Sequence, residues 1–523
     1  MVLKCLIREN TYYDSVTLMI ISREVKKIEG VKEVIVGMGT ELNKELSGNL
    51  NLLTPELQKI TPNDFFISLD SIDDNIAKKA FAFVDELLSK KKAESEDYQP
   101  STFESALKYM PDANLVLISL PGKYAAREAK NALLSDKHVM LFSDNVTLEE
   151  EIELKKLAKQ RGLLMMGPDC GTAIINHVVL AFANVIRKGP IGIVGASGTG
   201  IQEVTVMIDK LGSGISQAIG TGGRDLKAEV GGIMMIEGLK ALQNDSLTEV
   251  IVLISKPPDK EVARKVLSIL KEGEKPSVVY FIGGDPEAIK EYGSIPGLSL
   301  EDTAHKAVAI AKGISIEDFT GFTVTNIDKI IQEETKKLNK KQRYIRGLYT
   351  GGTLCDEAMI ILSTLIGDIY SNIPLNPEGK LSDINKSYRH SLIDLGDDEF
   401  TRGKPHPMID PYVRQERILS EVKDREVAII LMDFVLGFGS NPDPAGEMIP
   451  YIRKAGEIAA KDGRYICMIS SVCGTEADPQ SLIGQEKKLK EEGVIVMPSN
   501  AQAARLAAAI VLSSIPVMRE NGL

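Results

Sequence analysis

At 523 residues the chain is long enough for three or four domains with ample core, and 43% hydrophobic and 26% charged residues with 44 Gly and no Trp fit an α/β protein. A net charge of -11 argues against a nucleic-acid or anionic-membrane surface. Five scattered cysteines (Cys5, Cys170, Cys355, Cys467, Cys473) with no CxxC pair support neither a disulfide framework nor a metal site. MVLKCLIREN lacks a signal-peptide core, and no apolar run reaches the roughly 18 residues a membrane helix needs. A cytoplasmic protein is expected. The Ala-rich stretch Ala501–Val517 contains Arg505 and reads as a packed C-terminal helix.

In chain order, strands are predicted at Val31–Gly37, Asp64–Leu69, Leu115–Leu120, His138–Phe142 and Leu163–Met166. Helices such as Lys123–Leu134 and Thr147–Gln160 lie between them, the latter opened by a Thr147/Glu150 capping box. The polar stretch Lys90–Ser101 reads as an exposed connection. Residues 1–188 are thus expected to form a Rossmann-like first domain with an N-terminal extension. A break at Arg187–Pro190 opens a second unit, 189–313. A charged linker, 314–342, leads to a third unit, 343–523; the basic run Lys336, Lys337, Lys340, Lys341, Arg343 reads as a solvated helix end.

The second and third units read as copies of one flavodoxin-like design. IGIVGASGTGIQEV (Ile191–Val204) is matched by IRGLYTGGTLCDEAMIIL (Ile345–Leu362), each a strand, a Gly-rich turn and an apolar-periodic helix. AIGTGGRD (Ala218–Asp225) is matched by SLIDLGDDEF (Ser391–Phe400), and the Pro-rich turn of EVIVLISKPPDKE (Glu249–Glu261) by that of EVAIILMDFVLGFGSNPDPA (Glu426–Ala445).

Neither Gly loop is a Walker A motif or a GxGxxG fingerprint, so no nucleotide or dinucleotide site is indicated. One strand–SGTG–helix unit can be merely a tight turn. Two matched copies favour anion binding, because helix starts leave N–H groups without acceptors in a field that favours negative charge. The candidates are Ser197, Gly198, Thr199 and Gly200 in the first loop and Gly351, Gly352 and Thr353 in the second. Arg224 and Asp225 follow Gly222-Gly223, with Asp394, Asp397 and Asp398 flanking Gly396 in the other copy; ligand orientation and plain turn-forming both remain open for them. In GKPHPMIDP (Gly403–Pro411), His406 between two prolines is a candidate acid/base, or a structural histidine. Cys170 in MGPDCGT has no visible activating base and reads as structural.

GPDCGT, GIVGASGTG, IGTGGRD and KPP, in that order, resemble the α subunit of succinyl-CoA synthetase and other NDP-forming acyl-CoA synthetases. The third unit resembles the carboxy-terminal domain of their β subunit, with YTGGT at its Gly loop. DSVTLMIISR, LMMGPDCGT, GASGTGIQE, GGRDL, LYTGGTL, IDLGDD and KPHPMIDP together resemble the FdrA family across almost the full chain. Two departures from the synthetases stand out. The stretch matching their phosphorylated-histidine loop, YFIGGDPEAIKEYGS (Tyr280–Ser294), has no histidine, and GMGTELNKE (Gly37–Glu45) stands where their CoA-binding Gly loop is expected. No ATP-grasp domain is recognised.

The FdrA resemblance implies a subunit of oxamate carbamoyltransferase in anaerobic allantoin breakdown, acting with two unrelated partner subunits and without cofactor or metal. That reaction interconverts oxalurate plus phosphate with oxamate plus carbamoyl phosphate. Under it the two Gly loops would hold the phosphate, Arg224 the substrate carboxylate, and Asp225 or His406 the amide proton. Two further readings stay open: an acyl-CoA synthetase subunit that takes its ATP-grasp function from another chain, and a non-catalytic scaffold.

Overall fold

The computed structural model describes residues 2–11, 13–92, 100 and 102–514. Of the expected connection Lys90–Ser101, residues 93–99 and 101 lie outside the described residues, as do 515–523. The chain forms two compact units: Met1–Tyr109 with Asp397–Asp410, and Met110–Gly396 with Pro411–Leu523.

The first unit runs β1 (Val2–Arg8), α1 (Ser15–Lys26), β2 (Val31–Met38), α2 (Glu41–Asn49), β3 (Phe65–Ser71), α3 (Asp74–Lys92) and α4 (Phe103–Tyr109). Its sheet has the order β1-β3-β2 and is antiparallel throughout. Asp14 caps α1 by accepting the Thr17 N–H at 2.9 Å, and Thr40 caps α2. Leu18, Val25, Phe65, Ile67, Leu69 and Val84 fill the space between sheet and helices. Asp397–Asp410 returns from far along the chain to complete this unit. Arg402 pairs with Glu45 at 2.8 Å and Arg23 with Asp410 at 2.5 Å. Gly403 presses so closely on Leu46 that a Cβ there would lie 2.4 Å from Leu46 Cδ1.

The second unit begins with β4 (Leu115–Ile118), α5 (Gly122–Leu134), β5 (His138–Leu141), α6 (Leu148–Gln160) and β6 (Met165–Met166). These make a parallel sheet, β4-β5-β6, and α6 carries the Thr147/Glu150 capping box. The strands of residues 1–188 are therefore shared among separate sheets. The Rossmann-like portion is β4–β6, while Gly37–Glu45 closes β2 and opens α2 in the antiparallel unit and is no part of a parallel-sheet Gly loop. Strands in buried parallel and antiparallel sheets are both apolar runs of similar length, so sequence pattern did not separate them.

A hairpin, β7 (Thr172–Ile175) and β8 (Val178–Ala181), borders the first of the two repeated modules. That module runs β9 (Lys188–Ala196), α7 (Gly198–Lys210), β10 (Ile215–Gly220), α8 (Ile233–Asn244), β11 (Val250–Ser255), α9 (Lys260–Glu272), β12 (Ser277–Phe281), α10 (Pro286–Lys290), β13 (Ile295–Pro296) and α11 (Leu300–Ala311). Within residues 314–342, α12 (Ile327–Lys337) buries Glu334 against the Tyr465 hydroxyl at 2.7 Å, so part of the charged segment is a packed helix. The second module follows with β14 (Tyr344–Tyr349), α13 (Gly352–Ile366) and β15 (Ser391–Asp394). The chain then visits the first unit with α14 (Asp398–Thr401). It returns for α15 (Tyr412–Glu421), β16 (Val427–Val435), α16 (Pro444–Lys461), β17 (Cys467–Cys473), α17 (Leu482–Glu491), β18 (Ile495–Met497) and α18 (Asn500–Ser514).

The duplication is visible in the strand orders. The first sheet reads β13-β12-β11-β9-β10-β7-β8 and the second β15-β14-β16-β17-β18. Without the hairpin, both are the flavodoxin-like order 2-1-3-4-5, parallel throughout. In that order ligands bind beyond the carboxyl ends of the first and third strands, where the chain switches direction across the sheet. Both Gly loops follow a first strand. No helix among the described residues is long and apolar enough to cross a membrane.

Candidate functional site

The two Gly loops meet. Ser197, the N-cap of α7, and Thr353, in the first turn of α13, share a hydrogen bond of 2.6 Å between their hydroxyls. The contact is reciprocal: a Cβ on Gly351, the N-cap of α13, would lie 3.0 Å from the Thr199 methyl, and one on Gly200 would lie 3.0 Å from the Thr353 methyl. Glycine is thus needed where each helix start faces the other module's threonine. By position, the N–H groups of Gly198, Thr199, Gly352 and Thr353 have no acceptor within their helices. Two partial positive charges converge there.

Part of the expected phosphate grip is already engaged by the protein itself. The Gly200 N–H donates to Ser197 Oγ at 3.2 Å. The Gly351 N–H donates to Asp433 Oδ2 at 2.7 Å, and Asp433 also accepts from the Thr350 N–H at 2.8 Å and the Thr350 hydroxyl at 3.0 Å. Asp433, at the end of β16, is wholly buried and paired with the buried Arg414 at 3.2 Å. Asp394 lies beside the next amide, since a Cβ on Gly352 would meet its Oδ2 at 2.6 Å. Gly351 and Gly200 are therefore structural members of the loops, and the second helix start lies among carboxylates.

A cation offsets them. Lys256, in the KPP turn after β11, reaches across the modules to Asp356 on α13 at 2.8 Å while remaining 45% exposed. Burial works against its charge, yet Asp356, with Asp394 and Cys355 beyond, holds its pKa above the ordinary lysine value. In the sequence the KPP turn marks the repeat and the synthetase resemblance, and Lys256 itself was no site candidate. Its place after a third strand was the available signal, because that edge borders the ligand crevice of this fold. Asp433 carried no such signal: it sits inside an apolar strand far from the glycine it binds.

The other predicted residues have partners of their own. Asp225 is wholly buried: Oδ1 accepts from Lys155 Nζ at 2.7 Å, and Oδ2 accepts the Met235 N–H at 2.7 Å at the start of α8. Lys155 also donates to Glu151 at 2.8 Å and the Thr221 carbonyl at 2.9 Å. Arg224 pairs with Glu151 at 2.8 Å and donates to the Val146 carbonyl at 2.8 Å. Together they tie α6 to the β10–α8 turn, so the groups read as substrate-orienting are engaged within the fold. His406 belongs to the first compact unit, whereas both Gly loops belong to the second. Its Nδ1 accepts the Met408 N–H at 3.2 Å, and burial pushes its pKa down to about 4, so it is neutral at pH 7. Cys170 is buried, with its thiol pushed up to about 12, as a structural cysteine should be.

Three family models match: "AllF, heavy metal-associated domain" over residues 1–103, "CoA binding domain" over 186–283 and "CoA-ligase" over 348–510. YahF of Escherichia coli K12 is 47% identical over 97% of this chain and 98% of its own. The α-2 subunit of the ADP-forming succinate–CoA ligase of Trichomonas vaginalis is 28% identical over 44% of this chain and 75% of its own. Among solved structures, PH0766 of Pyrococcus horikoshii OT3 is 15% identical over 80% of this chain and 88% of its own, with a TM-score of 0.33. The family models and the succinate–CoA ligase relative overturn the carbamoyltransferase expectation: the modules that carry the Gly loops are CoA-ligase-like. The first model's description implies a metal, and the residues do not fit one. Soft metals need several thiolate or imidazole ligands. Cys5 is the one thiol in that stretch and burial pushes it up to about 11, while no group of three or more His, Cys, Asp or Glu suited to a metal occurs among the described residues. With 47% identity to YahF over nearly the whole of both chains, the protein belongs to the YahF family, an FdrA- and AllF-like group related to succinyl-CoA synthetase.

Proposed function

We propose that this chain is a subunit of an acyl-CoA-synthetase-like assembly and holds the phosphoryl end of an acyl phosphate where its two Gly-loop helices meet. The observation that carries the proposal is the 2.6 Å contact of Ser197 with Thr353, which brings two helix N-termini of CoA-ligase-type modules together. Gly198, Thr199, Gly352 and Thr353 would offer amides, Ser197 and Thr353 hydroxyls, and Lys256 a mobile ammonium that can leave Asp356 for the ligand. An acceptor thiol such as that of CoA attacks the acyl carbon, the bond from that carbon to the phosphate oxygen breaks, and phosphate leaves with the electron pair. The thiol proton passes to the departing phosphate or to water. Positioning and charge stabilisation of the leaving phosphate suffice for that step. Because Tyr280–Ser294 contains no histidine, nucleotide-driven formation of the acyl phosphate is assigned to a partner subunit.

The test mixes the purified full chain, alone and with co-expressed neighbouring subunits, with acetyl phosphate and CoA, and follows thioester and phosphate. Thioester formation that falls in S197A, T353A and K256M supports the proposal. A complex whose activity survives Gly352→Val, which drives a side chain into Asp394, would show that the loops are a scaffold.

A further inference from the structure

The two Gly-loop helices carry a glutamate at the same place: Glu203 is six residues after the N-cap Ser197, and Glu357 six after the N-cap Gly351. Both are buried, at 2% and 1% exposure. Each crosses to the opposite module. Glu203 Oε1 accepts the N–H of Asn500, the first residue of α18, at 3.1 Å. Glu357 Oε1 accepts the N–H of Leu300, the first residue of α11, at 2.7 Å. These two helices close their modules and are capped alike, by Ser299 (3.0 Å to the Asp302 N–H) and Ser499 (3.1 Å to the Gln502 N–H). Asn500 also donates through Nδ2 to Glu357 Oε2 at 2.7 Å, so it touches both carboxylates.

A carboxylate at a helix start is a charge-assisted cap, strong when dry and directional. Here the caps are exchanged between modules, so α7 cannot shift without moving α18, nor α13 without moving α11. The other charged or titratable groups facing Glu357 are Arg505 from α18, Tyr280 from β12 and Tyr349 from β14. Glu301 of α11, also buried, accepts from Ser499 at 2.7 Å and Gln502 at 2.6 Å and lies 3.6 Å from Arg505. Carboxylates outnumber cations in this cluster. Burial, aided by Glu203, pushes the Glu357 carboxyl up to about 7 against the Asn500 hydrogen bond.

We propose that Glu203 and Glu357 are positioning residues: by capping the closing helix of the opposite module, they fix the separation of the two Gly-loop helix starts and thereby the fit of a phosphate between them. This inference rests on the acyl-phosphate proposal above.

The test is calorimetric titration of the full chain with inorganic phosphate between pH 6 and 8. E203A and E357A should weaken binding about tenfold, the scale of one charge-assisted hydrogen bond. E357Q keeps an acceptor for Leu300, so it should bind within about twofold of wild type. It should also lose the part of the wild-type pH profile due to Glu357, the titration of phosphate itself being common to both. Alanine variants that bind like wild type would overturn the inference. A wild-type chain that takes up no phosphate would instead overturn the acyl-phosphate proposal. Hydrogen exchange without ligand then tests the crossing itself: unchanged protection of the Leu300 amide in E357A overturns it, and lost protection with intact α13 supports it.

Discussion

Asp433 holds the N–H of Gly351 at 2.7 Å, so a carboxylate of the protein occupies a helix start suited to a ligand anion. The same carboxylate is the counter-ion of Arg414, which is 2% exposed. Removing one member of a buried pair strands the other. D433N should therefore lower unfolding free energy by about 3 kcal/mol or more in urea denaturation. R414M combined with D433N should recover most of that loss. A neutral D433N would show that Arg414 finds another acceptor.

The first loop separates steric need from ligand contact. A Cβ on Gly200 would lie 2.4 Å from Ser197 Oγ, whereas on Gly198 the nearest atom, Thr172 Oγ1, is 3.4 Å away. G200A should break the Ser197 cap and the contact with Thr353, costing about 1–2 kcal/mol. G198A should melt within a few degrees of wild type. Thermal melts of the pair check the contrast; equal losses would mean that the Ser197 hydroxyl simply turns away.

The elevated Glu357 pKa has a sign that can be measured. Its folded value is about 7 against an ordinary 4.5, so the folded chain holds this proton more tightly than the unfolded chain. Stability from this group is full below pH 4.5 and is lost as pH rises towards 7. The slope should approach about 1.4 kcal/mol per pH unit at most. Unfolding free energies at pH 5 and pH 8 should differ in this direction in wild type, with a smaller difference in E357Q. Identical differences would place the proton elsewhere.

Cys5 should prove inert as a metal ligand. Titration of the full chain with zinc or copper(I), followed by native mass spectrometry, should show no uptake that C5S abolishes, because a raised thiol pKa disfavours the binding form. Stoichiometric uptake lost in C5S would restore the metal role named for this class of domain.

The paired Gly loops, the repeated modules and the Thr147 capping box were legible because each is a local pattern of turn glycines, periodic apolar residues or cap spacing. The antiparallel first unit was not, because β2 and β3 are short apolar runs that fit either kind of sheet. The roles of Asp225 and Asp433 were also hidden. Each is one acidic residue among many, and only the approach of Lys155 or of Gly351 and Arg414, distant in sequence, gives it a task. The unit to which His406 belongs was hidden for a related reason: nothing local in GKPHPMIDP tells that this stretch groups with Met1–Tyr109.

That excursion has a consequence for synthesis. The stretch up to Tyr109 is made long before Asp397–Asp410, so Arg23, Glu45 and Leu46 have no native partners from that segment until nearly 300 more residues have been made. At about 5–20 residues per second the delay is roughly 15 to 60 s. A domain made before its neighbours is ordinarily finished before them. In this protein it waits until the whole first ligase-like module, and β14, α13 and β15 of the second, have been translated.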